Sequence, residues 1–248
     1  MQGIKLITRF LSELKNFVLD LLLPPKCLGC GKELTHGHIC DRCFYSVTTG
    51  ALGVCPLCGY PKAFEDKCYH PLKTCPCGDS GLIRIRALGK YNIPFKNLLH
   101  RFKYQEYTKV GKLLGLGLAN LIGSDPVLSR ADFIVPIPLH PARRRERGFN
   151  QAEILAKEAC LNTGIEFLNC LSRKKNTKSQ TILNHKARLE NVIGAFSIKE
   201  DFLIKIKDRR IILVDDVITT GATLQEAARI LTIAQAVEVY AVVVAVAA

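Results

Sequence analysis

The sequence has no low-complexity tract and no uninterrupted apolar run long enough to cross a membrane. Its apolar beginning comes nearest, but Lys5, Arg9, Glu13, Lys15 and Asp20 break it too often for a signal or spanning helix. There Ile7, Leu11, Leu14, Val18 and Leu21 recur at helical spacing, so residues 1–24 are expected to form an amphipathic helix packed on its own protein and ended by Pro24-Pro25. The apolar stretch 237–248 is short and rich in valine, which suits a last core strand better than an anchor. Acidic residues are also scarce, 22 against 35 lysines and arginines, for a net charge of +13. That imbalance implies an anionic partner, whether nucleic acid, a membrane surface or a polyphosphate substrate. Large apolar side chains are few between residues 25 and 80, so that stretch cannot build a core of its own.

What residues 25–80 have instead is cysteine. Nine of the eleven cysteines fall between positions 27 and 77, and their spacing is that of metal ligands rather than of a secreted disulfide scaffold. Cys27-Leu-Gly-Cys30 and Cys40-Asp-Arg-Cys43 are two tight thiolate pairs that can close on one Zn2+. Cys55-Pro-Leu-Cys58 opens a second set, with Cys75 and Cys77 as its expected partners and Cys68 as a spare ligand. Structural zinc contributes on the order of 10 kcal/mol to such modules, more than this sparse core could supply. With every position filled by a thiolate there is no place for a catalytic water, so zinc is expected to be structural. Cys160 and Cys170 lie far from this set and read as core thiols.

The rest of the chain is long enough for a full α/β domain over 81–248. Its richest segment is Ile211-Ile-Leu-Val-Asp-Asp-Val-Ile-Thr-Thr-Gly-Ala-Thr223. Four successive apolar residues predict a strand buried on both faces, as in parallel sheets covered by helices. Asp215 and Asp216 follow, then Thr219, Thr220, Gly221, Ala222 and Thr223, then a predicted helix whose free N–H groups attract an anion. Hydroxyls and a close backbone suit a phosphate. The two carboxylates repel one and suit the neutral hydroxyls of a diol, so the expected ligand carries a ribose as well as a phosphate. A helix cap with a solvated neighbour, or a bare Mg2+ site, would account for the Asp-Asp pair alone. The whole run resembles the phosphoribosyl-pyrophosphate signature of type I phosphoribosyltransferases. That resemblance implies an acidic pair on the ribose 2′- and 3′-hydroxyls and a Thr-Thr-Gly-Ala-Thr loop on the 5-phosphate.

Upstream, residues 82–89 alternate like a half-exposed strand, and 94–104 and 108–122 read as helices. Phe133-Ile-Val-Pro-Ile-Pro-Leu139 predicts a buried strand that must end at its prolines, exposing the backbone of Ile137, Pro138 and Leu139 as a cradle for diphosphate. Arg143-Arg-Arg-Glu-Arg-Gly-Phe-Asn-Gln151 comes next, with a helix to about Thr163. Residues 173–188 are strongly basic and lie between an apolar stretch ending at Leu171 and an expected strand over 192–198. Such a loop is either solvated surface or a cover for an anionic ligand.

Pro136-Ile-Pro138, Arg147-Gly-Phe-Asn-Gln151, Gln180, Arg188 with Asn191, Gly194-Ala-Phe196 and the Asp-Asp run together resemble the ComF family of competence-associated, phosphoribosyltransferase-like proteins. The resemblance spans nearly the whole chain. It implies a type I phosphoribosyltransferase-like parallel sheet flanked by helices, preceded by a small double zinc-ribbon module, and a cytoplasmic role at the inner face of the membrane in uptake of transforming DNA. An active transferase would need Mg2+ on the diphosphate and cations for the leaving charge, among them Arg143, Arg145, Arg147, Lys174, Lys175 and Arg188. Asp215, Asp216 and Arg147 are the expected catalytic residues. Purine-salvage relatives usually carry a base-contacting aspartate where this chain has Thr219, which puts a purine acceptor in doubt. Two other functions fit the same residues. One is a sensor that binds phosphoribosyl pyrophosphate without turnover. The other is a single-stranded nucleic-acid binder, with Phe102 beside Arg101 and Lys103, Tyr104 and Phe149 as stacking aromatics and with DNA-uptake proteins as partners.

Overall fold

A computed structural model describes residues 25–49, 82–104, 108–175 and 192–247. The expected N-terminal helix, the second cysteine set and the basic stretch 176–191 lie outside the described residues. In chain order the elements are α1 (Asp41–Thr48), β1 (Leu82–Lys90), α2 (Phe95–Tyr104), α3 (Thr108–Ser124), β2 (Phe133–Pro136), α4 (Pro141–Arg147), α5 (Gln151–Thr163), β3 (Glu166–Phe167), β4 (Leu171–Arg173), β5 (Phe196–Ile198), α6 (Leu203–Ile206), β6 (Arg210–Ile218), α7 (Ala222–Ile233) and β7 (Glu238–Val246).

Five of the strands form one parallel sheet in the order β1-β7-β6-β2-β3. Side chains alternate across a strand, so β6 feeds two cores at once. Ile211 and Leu213 pack with Leu224, Ala227, Ala228 and Leu231 of α7. Ile212 and Val214 pack on the other face with Leu98 and Leu99 of α2, Leu114 and Leu118 of α3 and Leu155 of α5. Each such burial stabilises by about 1.5–3 kcal/mol, which is why four consecutive apolar residues are needed here.

The connections fix where a ligand belongs. From β2 the chain crosses through α5 to β3 on one side, and from β6 it crosses through α7 to β7 on the other, with the two helices on opposite faces. Strands β2 and β6 are neighbours, in register from Phe133 opposite Ile211 to Pro136 opposite Val214. Their carboxyl ends therefore flank the switch point of the sheet, where the departing chains leave a crevice.

Several boundaries differ from expectation. Strand β6 continues through Asp215 and Asp216 to Ile218, and α7 begins at Ala222 rather than Thr223. The strand expected from Val192 begins only at Phe196, because Ala195 donates to the Val192 carbonyl and Gly194 takes φ 65. It pairs antiparallel with β4, Arg173 opposite Phe196. Helix α4 was not anticipated from the sequence. Pro141 starts it, the His140 ring accepts the Ala142 amide at 3.2 Å, and Gly148 ends it in the left-handed conformation.

Phe102 is fully buried in the core with Phe149 against it, ring centroids 5.7 Å apart, so it is not available for the base stacking that the alternative nucleic-acid-binding reading gave it. No helix among the described residues is long and apolar enough to cross a membrane.

Candidate functional site

Residues 27–43 fold around sulfur. Cys27, Cys30, Cys40 and Cys43 bring their four sulfurs within 4.8 Å of one another. The Cys27–Cys40 and Cys30–Cys40 sulfur separations are 3.7 and 3.8 Å. A tetrahedron with Zn–S bonds of about 2.3 Å has edges of about 3.8 Å, so the residues present fit Zn2+. Gly31, at φ 78, lets the loop turn back and donate to the Cys27 carbonyl at 2.9 Å. The module is docked on the later domain: Asn97 of α2 donates to the Gly29 carbonyl at 2.8 Å, and Asn120 of α3 to that of Thr48 at 2.9 Å. As expected, Cys170 is a core thiol, its acidity suppressed by burial to a pKa of about 12. Cys160 is half-buried and pushed up to about 11 by the same cause.

At the switch point, Asp215 and Asp216 lie near the carboxyl end of β6. The Asp216 amide donates to Asp215 Oδ1 at 2.8 Å. Burial and the adjacent Asp216 charge raise Asp215 to about 7. Asp216 sits on the α2 face of the strand, where Lys103 Nζ lies 2.5 Å from Oδ2. Burial works against the Lys103 charge, but Asp216, and Asp215 behind it, outweigh that and raise its pKa above the ordinary lysine value. Thr219, Gly221, Ala222 and Thr223 line a small pocket with Asp215. Gly221 caps α7 at φ 77, a conformation that suits glycine, and so aims the first turn of a 12-residue helix at that pocket. Thr220 is buried beside it.

Across the crevice, the loop after β2 is partly committed. The Ile137 amide donates to the Val214 carbonyl at 2.9 Å, and its carbonyl accepts from Asn150 Nδ2 at 3.0 Å. Pro138 has no N–H, so of the three cradle residues Leu139 supplies the donor. Pro138 and Leu139 border a cleft of about 600 Å3 together with Arg144, Arg145, Asn150 and Arg173. The Arg147-Gly-Phe-Asn-Gln151 run braces this wall. Asn150 caps α5 at Ala152 while holding Ile137, Phe149 packs on Phe102, and Arg147 donates to Gln151 Oε1 at 3.3 Å.

Two residues carry this geometry in roles that the sequence did not reveal. Lys103 lies in the last turn of a helix far upstream of its partner, and nothing at its own position signals the pairing. Glu226 is buried in α7, where it accepts the Gly194 amide at 2.7 Å and pairs with Arg229. A lone carboxylate among Leu224, Ala227 and Ala228 was the available signal.

Known proteins place these features in one lineage. Residues 146–247 match the phosphoribosyl transferase domain and residues 18–78 the double zinc ribbon domain. Competence protein F of Haemophilus influenzae is 32% identical over 213 residues, 83% of each chain. Competence protein ComFC of Bacillus subtilis is 32% identical over 232 residues, 90% of this chain and 85% of that one. The chain belongs to the ComF family. DNA utilization protein YhgH of Escherichia coli K12 is 28% identical over 222 residues, 85% of this chain and 92% of that one. The ComF assignment joins the two halves seen here, a zinc ribbon and a type I phosphoribosyltransferase-like sheet with flanking helices.

Proposed function

We propose that this ComF-family chain binds phosphoribosyl pyrophosphate at the switch point of its sheet and acts in DNA uptake and utilization in the cytoplasm. The observation that carries this is the convergence at one crevice of the Asp215–Asp216 pair, the Thr219–Thr223 turn on the α7 N-terminus, and the Pro138–Leu139 loop. In that arrangement the α7 turn and the threonine hydroxyls take the 5-phosphate, and the carboxylates accept from the ribose hydroxyls. The leaving diphosphate would lie toward Leu139 and the arginines of α4, and Mg2+ bound with it would help to neutralise its charge. The anomeric carbon becomes cation-like as diphosphate departs, and the acidic pair beside it stabilises that charge electrostatically. The described acidic pair does not activate an acceptor, since Asp215 and Asp216 are committed to the ribose and Thr219 has no basic group. The relatives' names, competence and DNA utilization, support the cellular role.

Calorimetry with phosphoribosyl pyrophosphate tests the binding step. Asp215→Asn with Asp216→Asn removes the charged acceptors, each hydrogen bond worth about 1.5–3 kcal/mol or roughly 10- to 150-fold in affinity. Normal affinity in the double variant rules out the ribose assignment. Diphosphate release with candidate acceptors then separates a transferase from a sensor.

A further inference from the structure

Asp216 already holds a cation. Lys103 Nζ is 2.5 Å from its Oδ2, and the two side chains are only 19% and 14% exposed. The lysine is held there from behind. On α2 the neighbouring Phe102, with Leu98 and Leu99, is fully buried, so the last turn of the helix is fixed against the core. Arg147 and Arg173 add positive charge around the same carboxylates: Arg147 opposes the Lys103 charge, and Arg173 favours ionisation of Asp215. A divalent metal bound directly to this pair would meet the Lys103 ammonium at contact distance, with the charges of Arg147 and Arg173 adding to the repulsion, and would have to displace the lysine from Asp216.

We infer that Lys103 is the built-in counter-cation of the acidic pair, and that it bars divalent metal from direct coordination to Asp215 and Asp216. The lysine is then a specificity-determining residue: it stays paired with Asp216, keeps that carboxylate for sugar hydroxyls and leaves metal to the ligand's own diphosphate. Its consequence for ligand binding rests on the ribose reading given above, whereas the exclusion of metal does not.

Mn2+ serves as a paramagnetic stand-in for Mg2+, titrated into the full-length, zinc-loaded protein without ligand. The wild type is expected to show no Mn2+ site sensitive to Asp216→Asn. Lys103→Met keeps the apolar stem and removes the charge. It should gain one Mn2+ site, tighter by about tenfold or more than anything in the wild type. Lys103→Met with Asp216→Asn should lose it again, and Lys103→Arg, which keeps the charge, should not gain it. Mn2+ binding at the pair in the wild type, or none gained in Lys103→Met, overturns the inference. Ribose 5-phosphate, which carries no diphosphate, should bind the wild type equally with and without Mg2+, and Mg2+-dependent binding would also overturn it. Failure of the wild type to bind ribose 5-phosphate at all would instead sink the ribose reading, with the Mn2+ titration still deciding the role of Lys103.

Discussion

Asp215 keeps its proton up to about pH 7 in the folded chain, because burial and the Asp216 charge both disfavour ionisation, whereas its ordinary value is 3.8. Between those values the folded state binds a proton that the unfolded state does not. The contribution of Asp215 to stability is therefore whole below about pH 4 and is lost as pH rises through about 7. Ligand capture runs the other way, since a diol needs the ionised acceptor. Affinity for phosphoribosyl pyrophosphate is expected to rise from about pH 6 to about pH 8, and Asp215→Asn should lack that rise while gaining stability relative to wild type at the upper pH. Calorimetry and thermal unfolding at both pH values check this. An equal rise in the variant would assign the titration to the ligand's phosphates. Asp215, Asp216 and the threonines were legible in the sequence because they are consecutive and their chemistry is local. Lys103 was not, because its role depends on a contact made by the fold between distant segments.

Helix α3 shows how an element joins the two halves of the chain. A Cβ on Gly117 would lie 2.3 Å from the Val47 carbonyl oxygen at the end of α1 and 2.9 Å from Leu88 Cδ1. The first of these is backbone and cannot swing aside, so the glycine sets how closely the zinc module approaches. Gly117→Ala should destabilise by about 1–3 kcal/mol despite the better helix former. Gly123, on the same helix, is the control, since a Cβ there would meet nothing within 4 Å. Gly123→Ala should stabilise by about 0.5–1 kcal/mol. Urea unfolding of both variants reads the difference, and a Gly117→Ala protein as stable as wild type would mean that the contact relaxes freely. The spans of α2, α3, α5 and β7 were readable from their apolar residues, whereas β6 runs four residues past the apolar run that marks it, through both aspartates to Ile218. Helix α4 was missed because its sequence is nearly all charged and it has no apolar stripe, leaving Pro141 and Gly148 as its only marks. The start of β5 was missed because a glycine turn consumed the apolar residues that resembled a strand.

Over the whole molecule the charge is +13, and the question is whether that charge serves DNA phosphates or the sugar-phosphate ligand. The fold removes part of the DNA-binding pattern seen in the sequence, since Phe102 is core and Lys103 is paired with Asp216. Lys174 and Lys175 remain exposed at the end of β4, near the crevice, with the Lys174 amide bonded to the Ala195 carbonyl and Lys175 Nζ to that of Ile193 at 2.7 Å. Glu226 holds Gly194 beside them on α7, the helix that begins at the phosphate turn. Their position directly after Arg173, which borders the cleft, leads us to expect that changing both lysines to alanine weakens phosphoribosyl pyrophosphate in the presence of Mg2+ and spares single-stranded DNA. Were they DNA contacts, affinity would fall for every sequence, and the slope of log affinity against log salt would shrink by about 1.4, roughly 0.7 for each lost phosphate contact on a single strand. Salt titrations with labelled oligonucleotides, run beside calorimetry with the sugar phosphate, distinguish the two. A reduced salt slope would assign these lysines to DNA, and unchanged affinity for both ligands would leave them as solvated surface, with the surplus positive charge acting elsewhere.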